Sequence, residues 1–368
     1  MTQRFCGFIG LCALAITASL ATAQPLTFSH NYGAQKNPVA IAAGSLKNDQ
    51  YADIVVANYN KNSVTVFLNM RDGSGTFNPG TNINVGTNPH AVVIADFTGD
   101  GFADIAVANV GGGVSILVNN GAGVFTQPHA AFPAGPQPFA MAAGAFKDGA
   151  KDLVVLNENS GMTILLGHKT AGVPDGTFTT LPTVALTGRS PVSVAVGHFT
   201  AGTKQDLAIA DMQGHVITMQ GNGDGTFMSP VTIANTPRPY AIVDHDFGNG
   251  QDNLVVTDYS SKVYVLLNMG GGTFSQSNFP VGNIPNAVTV GRFNGDNKLD
   301  IVVANSFDAT FTFLTGVGMG VFSLGPTINA HGTLPGALAT GSFRGMANHD
   351  DLAVANFGDN NISVFFGQ

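Results

Sequence analysis

Short apolar runs of four to six residues alternate along this chain with turns of Gly, Asn and Asp. The stretch from Asn88 to Gly135 shows the order. Ala91 to Ala95 is apolar, Asp96 to Asp104 a Gly-rich loop, Ile105 to Ala108 apolar, Asn109 to Gly113 a turn, and Val114 to Val118 apolar. A turn at Asn120 to Gly123 leads into a fourth run opening at Val124-Phe125. Val, Ile, Ala and Phe dominate the runs, and no window of ten or more residues holds a helical period. Runs of this length, bounded by turn formers, predict antiparallel β-strands, four to a unit.

The unit recurs. Phe28, Phe77, Phe125, Phe178, Phe227, Phe274 and Phe322 follow one another at spacings of 47 to 53 residues, most of them closing a Gly-x-Gly-Thr/Val-Phe turn. Pro38, Pro89, Pro138, Pro191, Pro239, Pro285 and Pro335 each open a run of small apolar residues. Seven units whose cores bury against one another predict an all-β, seven-bladed β-propeller of four-stranded antiparallel blades. The last unit ends at Gln368 without a fourth strand, whereas Leu26-Thr27-Phe28 reads as a fourth strand with no unit before it. Pairing Leu26–Phe28 with Ile362–Phe366 would complete blade seven from both ends and remove the exposed edge of an open stack.

Composition adds a compartment. Arg4, the apolar stretch Phe5 to Leu20 and Ala21-Thr22-Ala23 read as a signal peptide over residues 1–23, cleaved near Ala23, with the propeller at 24–368. The expected product is secreted, extracellular or periplasmic. Both cysteines, Cys6 and Cys12, fall inside the leader, so disulfides and thiolate chemistry are excluded from the remainder. Charged residues make up 10% of the chain and the net charge is −8 with no Lys/Arg run. That argues against nucleic acid as a partner. No further segment is apolar enough for membrane insertion, and a monomer is expected.

Residues 89–109, Pro-x-Ala-Val-x-x-x-Asp-Phe-x-Gly-Asp-Gly-x-x-Asp-Ile-x-Val-Ala-Asn, resemble the FG-GAP/VCBS repeat, the blade of integrin α-subunit heads and of many secreted bacterial propellers. Weaker copies cover the chain from Gln24 onward. The Asp96–Asp104 loop places oxygen-bearing side chains at positions 1, 3, 5 and 9 and Gly at 6, a pattern suited to a hard cation. The resemblance implies Ca²⁺ held by Asp96, Thr98, Asp100, Asp104 and the carbonyl of Phe102, with Thr98 replacing the usual Asn or Asp and weakening the site. The alternative is an Asp/Gly turn held by its own Asx-type hydrogen bonds. A second, weaker loop keeps Asn294, Asp296 and Asp300, but Arg292 stands at its first position, where a guanidinium could bridge those carboxylates. Asp53, Asp104, Asp152, Asp206 and Asp300 end such loops and are expected to accept loop amide hydrogens in each blade. The Asn or Asp closing each second strand (Asn58, Asn109, Asn157, Asp211, Asp258, Asn305, Asn356) is expected to bond its own turn.

On the face opposite these loops, the residues flanking each Pro differ from blade to blade, and His90, Phe139, Arg238 and Tyr240 are the candidate ligand-binding residues. Packing between blades is the competing explanation for them. No H-E-x-x-H, G-x-S-x-G or Ser/His/Asp set is present. The function these features favour is a non-enzymatic recognition or adhesion module for an extracellular protein or glycan. A lectin would need a repeated aromatic pocket. A hydrolase or lyase would need two carboxylates, or a His–carboxylate pair, converging on one face.

Overall fold

In the computed structural model, which describes residues 24–158 and 160–368, each of the seven prolines is the first residue of a strand. A proline there forfeits no ladder hydrogen bond. The expected leader lies outside the described residues. Blade two runs Pro89–Ala95, Asp104–Asn109, Val114–Asn119 and Phe125–Thr126. All seven sheets have four antiparallel strands in sequential order, except the last, whose fourth strand is Leu26–Gly33. That strand pairs with Asn361–Gly367, with Leu26 opposite Gly367 and Phe28 opposite Phe365, and the pairing extends to Gly33 opposite Asn361. The N-terminal strand closes the ring.

First strands of neighbouring blades touch all the way round and line the centre. Each second strand is buried at every residue. It has a strand on either side within its own sheet and a blade against each face, which is why Asp53–Asn58 reads Asp-Ile-Val-Val-Ala-Asn instead of alternating. Fourth strands are largely exposed, and blade two's is two residues long.

The core is seven clusters, one at each blade boundary. Phe97, Ala106, Val114, Met141, Leu153 and Phe178 join blades two and three. Phe67, Phe77, Phe343, Ile362 and Val364 join blade one to blade seven. Each fully buried side chain of this kind contributes about 1.5–3 kcal/mol relative to exposure. The loop and turn phenylalanines meet edge-on across four boundaries: Phe77–Phe343, Phe97–Phe178, Phe146–Phe227 and Phe247–Phe322, with centroids 5.0–5.7 Å apart.

Every boundary also carries a hydrogen bond to the backbone carbonyl of the loop's second residue. The amides of Gly176, Gly225, Met319 and Gln368 donate to the carbonyls of Phe97, Phe146, Phe247 and Phe293. At the other three boundaries a side-chain amide does so: Asn69 to Phe343, Asn119 to Leu46 and Asn268 to Phe199. Phe97, Phe146, Phe247 and Phe343 thus each serve the next blade with ring and carbonyl together.

Candidate functional site

The loops joining first to second strands share one face of the disc with the turns joining third to fourth. Asp104 is fully buried at the end of its loop. It accepts the amides of Phe97 (3.0 Å), Thr98 (3.1 Å) and Asn119 (2.9 Å), clasping the loop to the third strand. Asp53, Asp152, Asp206, Asp300 and Asp351 make the same clasp. Blade five replaces the acid by Asn253, which keeps the bond from the third-strand amide of Asn268 (2.9 Å). Burial pushes the carboxyl of Asp104 above its ordinary value, against the pull of its amide partners.

The other acids of this loop are nearer solvent. Asp96 accepts Gly99 N (2.6 Å) and Gly101 N (3.0 Å), and Asp100 accepts Phe102 N (2.9 Å). Thr98 Oγ1 donates to Asp104 (3.2 Å). The donors fit Ca²⁺ in kind and order, and Gly99 and Gly101 take positive φ of 71° and 88° to fold the loop. Asp96 and Asp100 here accept amides of their own loop, and among the described residues no group of three or more His, Cys, Asp or Glu side chains gathers as a metal cluster. In the second loop, Asn294 donates to Asp300 (3.2 Å) and Asp296 caps Lys298 N (2.9 Å). Arg292 does not bridge these acids. It makes no ion pair among the described residues; its amide donates to Asp350 (2.8 Å) and its side chain lines a cleft with Asp246 and Lys298.

The residues closing the second strands depart in part from expectation. Asp211 and Asp258 do bond their own turns, at Gln213 N and Ser260 N. Asn109 bonds both its own turn, at the Gly113 carbonyl, and Ser115 of the third strand, whereas Asn58, Asn305 and Asn356 instead reach third-strand hydroxyls: Thr65, Thr312 and Ser363. Position in the repeat was legible, but the partner required the neighbouring strand to be placed.

The opposite face is the mouth of the central channel. His90 and Phe139 stack there with centroids 4.0 Å apart, His90 Nδ1 lies 2.8 Å from the Phe139 carbonyl, and Tyr59 meets His90 edge-on. Burial lowers the pKa of this imidazole, so it is neutral at neutral pH. In blade five Tyr240 stacks on Tyr259 at 4.4 Å, and exposed Arg238 lies over the Tyr259 ring at 5.4 Å. Burial, reinforced by Tyr240, raises the Tyr259 hydroxyl pKa. The four candidate residues therefore form two separate aromatic groups. His90, Phe139 and Tyr240 are half-buried, so neither packing nor exposure accounts for them alone.

Between these groups lies a depression of about 380 Å³ bordered by Val39, His90, Tyr240, Phe307, Gly336 and Phe357. A second, of about 280 Å³, adjoins it at Val39, His90 and Phe357. Phe307 is 70% exposed, and Ile284 and Leu334 on the rim 41% and 44%. The latter two precede the prolines of blades six and seven and hold φ of +51° each. Asn37 and Asn88 take that conformation in blades one and two, at +59° and +54°. Asn tolerates it; a β-branched Ile there is strained by about 1–3 kcal/mol. Both aliphatic residues escaped the sequence reading, although the register of the prolines placed them where other blades have Asn.

A family model of the FG-GAP-like repeat matches residues 46–107, 96–147 and 247–303. This chain is a seven-bladed propeller that carries FG-GAP-like repeats. No curated protein matches this chain in sequence. Solved structures resemble it in fold. BBS1N in complex with ARL6DN is 14% identical with a TM-score of 0.65, covering 94% of this chain and 97% of that one. Virginiamycin B lyase from Staphylococcus aureus is 12% identical with a TM-score of 0.62, covering 93% and 98%.

One close His–carboxylate contact of this kind occurs among the described residues, His198 Nδ1 to Asp252 at 3.3 Å. The same Asp252 oxygen accepts the His198 amide at 2.7 Å. Equivalent links join Ala145 to Gln205 and Arg292 to Asp350 at two other boundaries, so Asp252 is explained as part of the framework. No hydroxyl is hydrogen-bonded to His198 among the described residues.

Proposed function

We propose that this propeller is a secreted, non-catalytic recognition module that binds an extracellular protein or glycan at the channel mouth, with Ca²⁺ held in the Asp96–Asp104 loop of the opposite face. The observation that carries the reading is the mouth itself. Aromatic groups and exposed aliphatic side chains cluster there without the regularity the blades show elsewhere. Isolated exposed apolar residues are ordinary, but a cluster around a cavity marks an interaction site. Aromatic and Arg side chains are the commonest anchors of such sites. The calcium part is supported by the oxygen donors of the loop and by its two glycines.

The test is capture from extracellular material by the immobilised protein, with and without calcium, comparing wild type with Tyr240→Ala, Arg238→Ala and Asp224→Ala. The mouth substitutions should each weaken capture of the same species, whereas Asp224→Ala, in a turn of the other face, should not. Capture indifferent to the mouth variants would remove this face from consideration.

A further inference from the structure

We propose that the larger depression at the channel mouth is a built pocket for a neutral aromatic ring carrying one hydrogen-bond donor, an indole or a phenol; this rests on the recognition reading above and specifies what that face takes. Three departures from the repeat converge on this cavity. Of the seven residues that follow the first-strand prolines, only Gly336 lacks a side chain. Its backbone does not demand glycine, and a Cβ there would meet nothing nearer than the Leu334 carbonyl at 3.8 Å. The glycine therefore leaves room where six other blades fill it. Ile284 and Leu334, held in the left-handed region where blades one and two use Asn, wall the same space with aliphatic surface.

The lining selects the ligand. It holds no Asp, Glu, Lys or Arg, and His90 is neutral, so a charged ligand would lose its hydration without gaining a counter-charge. Tyr240, Phe307 and Phe357 offer ring faces and edges, and about 380 Å³ lies at the small end of ligand cavities, enough for one or two fused rings. One polar group is unmet. Asn286 Nδ2 donates to Ser306 Oγ (3.0 Å), which itself donates to the Pro335 carbonyl (2.6 Å), while Asn286 Oδ1 is buried with no partner. Unpaired buried acceptors are uncommon. This one is closed off from water, so a donor reaches it only as a ligand seats and Asn286 turns toward it.

The chain contains no Trp, so indole fluorescence reports the ligand alone. Titration of the calcium-loaded 24–368 protein into indole should give a saturable blue shift and a rise in polarisation. The same ring without its donor, 1-methylindole, should bind about tenfold more weakly for want of one hydrogen bond. Gly336→Phe should abolish binding of both while melting like wild type. Asn286→Leu should leave 1-methylindole binding intact and erase the preference for indole, a readout that holds even if the first variant folds poorly. N-acetyltryptophanamide separates the sources: if it binds as well as indole, the ring is a partner's side chain; if only the free ring binds, the ligand is a small molecule. No saturable signal with indole, phenol or N-acetyltryptophanamide, or binding unchanged in a folded Gly336→Phe, overturns the proposal. Partner capture that is lost in Tyr240→Ala yet indifferent to Gly336→Phe would leave the recognition reading standing and remove this pocket from it.

Discussion

Asp104 and Asp100 lie four residues apart in one loop and should behave as opposites. Asp104 is fully buried and accepts three amides at 2.9–3.1 Å. Hydrogen bonds to a charged group contribute about 1.5–3 kcal/mol each. Part of that sum is offset by the cost of burying the carboxylate, which is also what raises its pKa. Asp104→Ala strands the three donors, and the net loss is roughly 3 kcal/mol, concentrated in blade two. Hydrogen exchange of peptides covering residues 96–119 should then accelerate about 100-fold in chelator, since ~1.4 kcal/mol is a factor of ten. Asp100 is exposed and caps one amide of its own turn. Asp100→Ala should change stability in chelator by no more than about 0.5 kcal/mol. With ~1 mM calcium and a dissociation constant near ~0.1 mM, wild type should gain roughly 1.4 kcal/mol, and Asp100→Ala should lose that gain. Equal destabilisation by both substitutions in chelator would refute the clasp. Wild-type melting unaltered by calcium would refute the cation.

Removal of residues 24–35 takes away the closing strand and should leave an aggregation-prone protein; melting like that of the 24–368 protein would contradict closure. Ile284→Asn should raise stability by about 1 kcal/mol in denaturant unfolding by relieving the left-handed Ile, while weakening ligand binding at the mouth; a loss of stability would show that the aliphatic side chain is needed for packing. Asp244 lies in a first strand, and burial, reinforced by the nearby Asp252, raises its pKa from 3.8 to about 6. Over the window from about pH 4 to 6 the folded state binds more protons than the unfolded chain at this site, so its contribution to stability is full at the acid end and is lost as pH rises. Asp244→Asn should flatten that slope in melting temperature against pH, and an unchanged slope would place the titration elsewhere.

The regular parts of this propeller were legible because they are dictated seven times over. Pro38 and its six equivalents, the second strands with mostly apolar residues between a flanking Asp or Asn at each end, and the Gly-x-Gly-Thr/Val-Phe turns impose the blade through local preferences that need no knowledge of the neighbour. The buried acids could also be assigned, since an acid at a fixed place in six of the seven loops implies a backbone partner. Fourth strands such as Phe125–Thr126 were poorly marked, because an exposed outer strand has no buried face to pattern it. What only the tertiary structure decided lies between blades and at their ends. That Phe97 offers its carbonyl to Gly176 depends on the packing of one repeat against the next. That Arg292 lines a cleft with Asp246 of blade five, without an ion pair to Asp296 or Asp300, depends on how the two blades meet. Val39, His90, Tyr240, Phe307 and Gly336 come from five different blades, and no local rule relates them. Ring closure is what brings them round a single mouth.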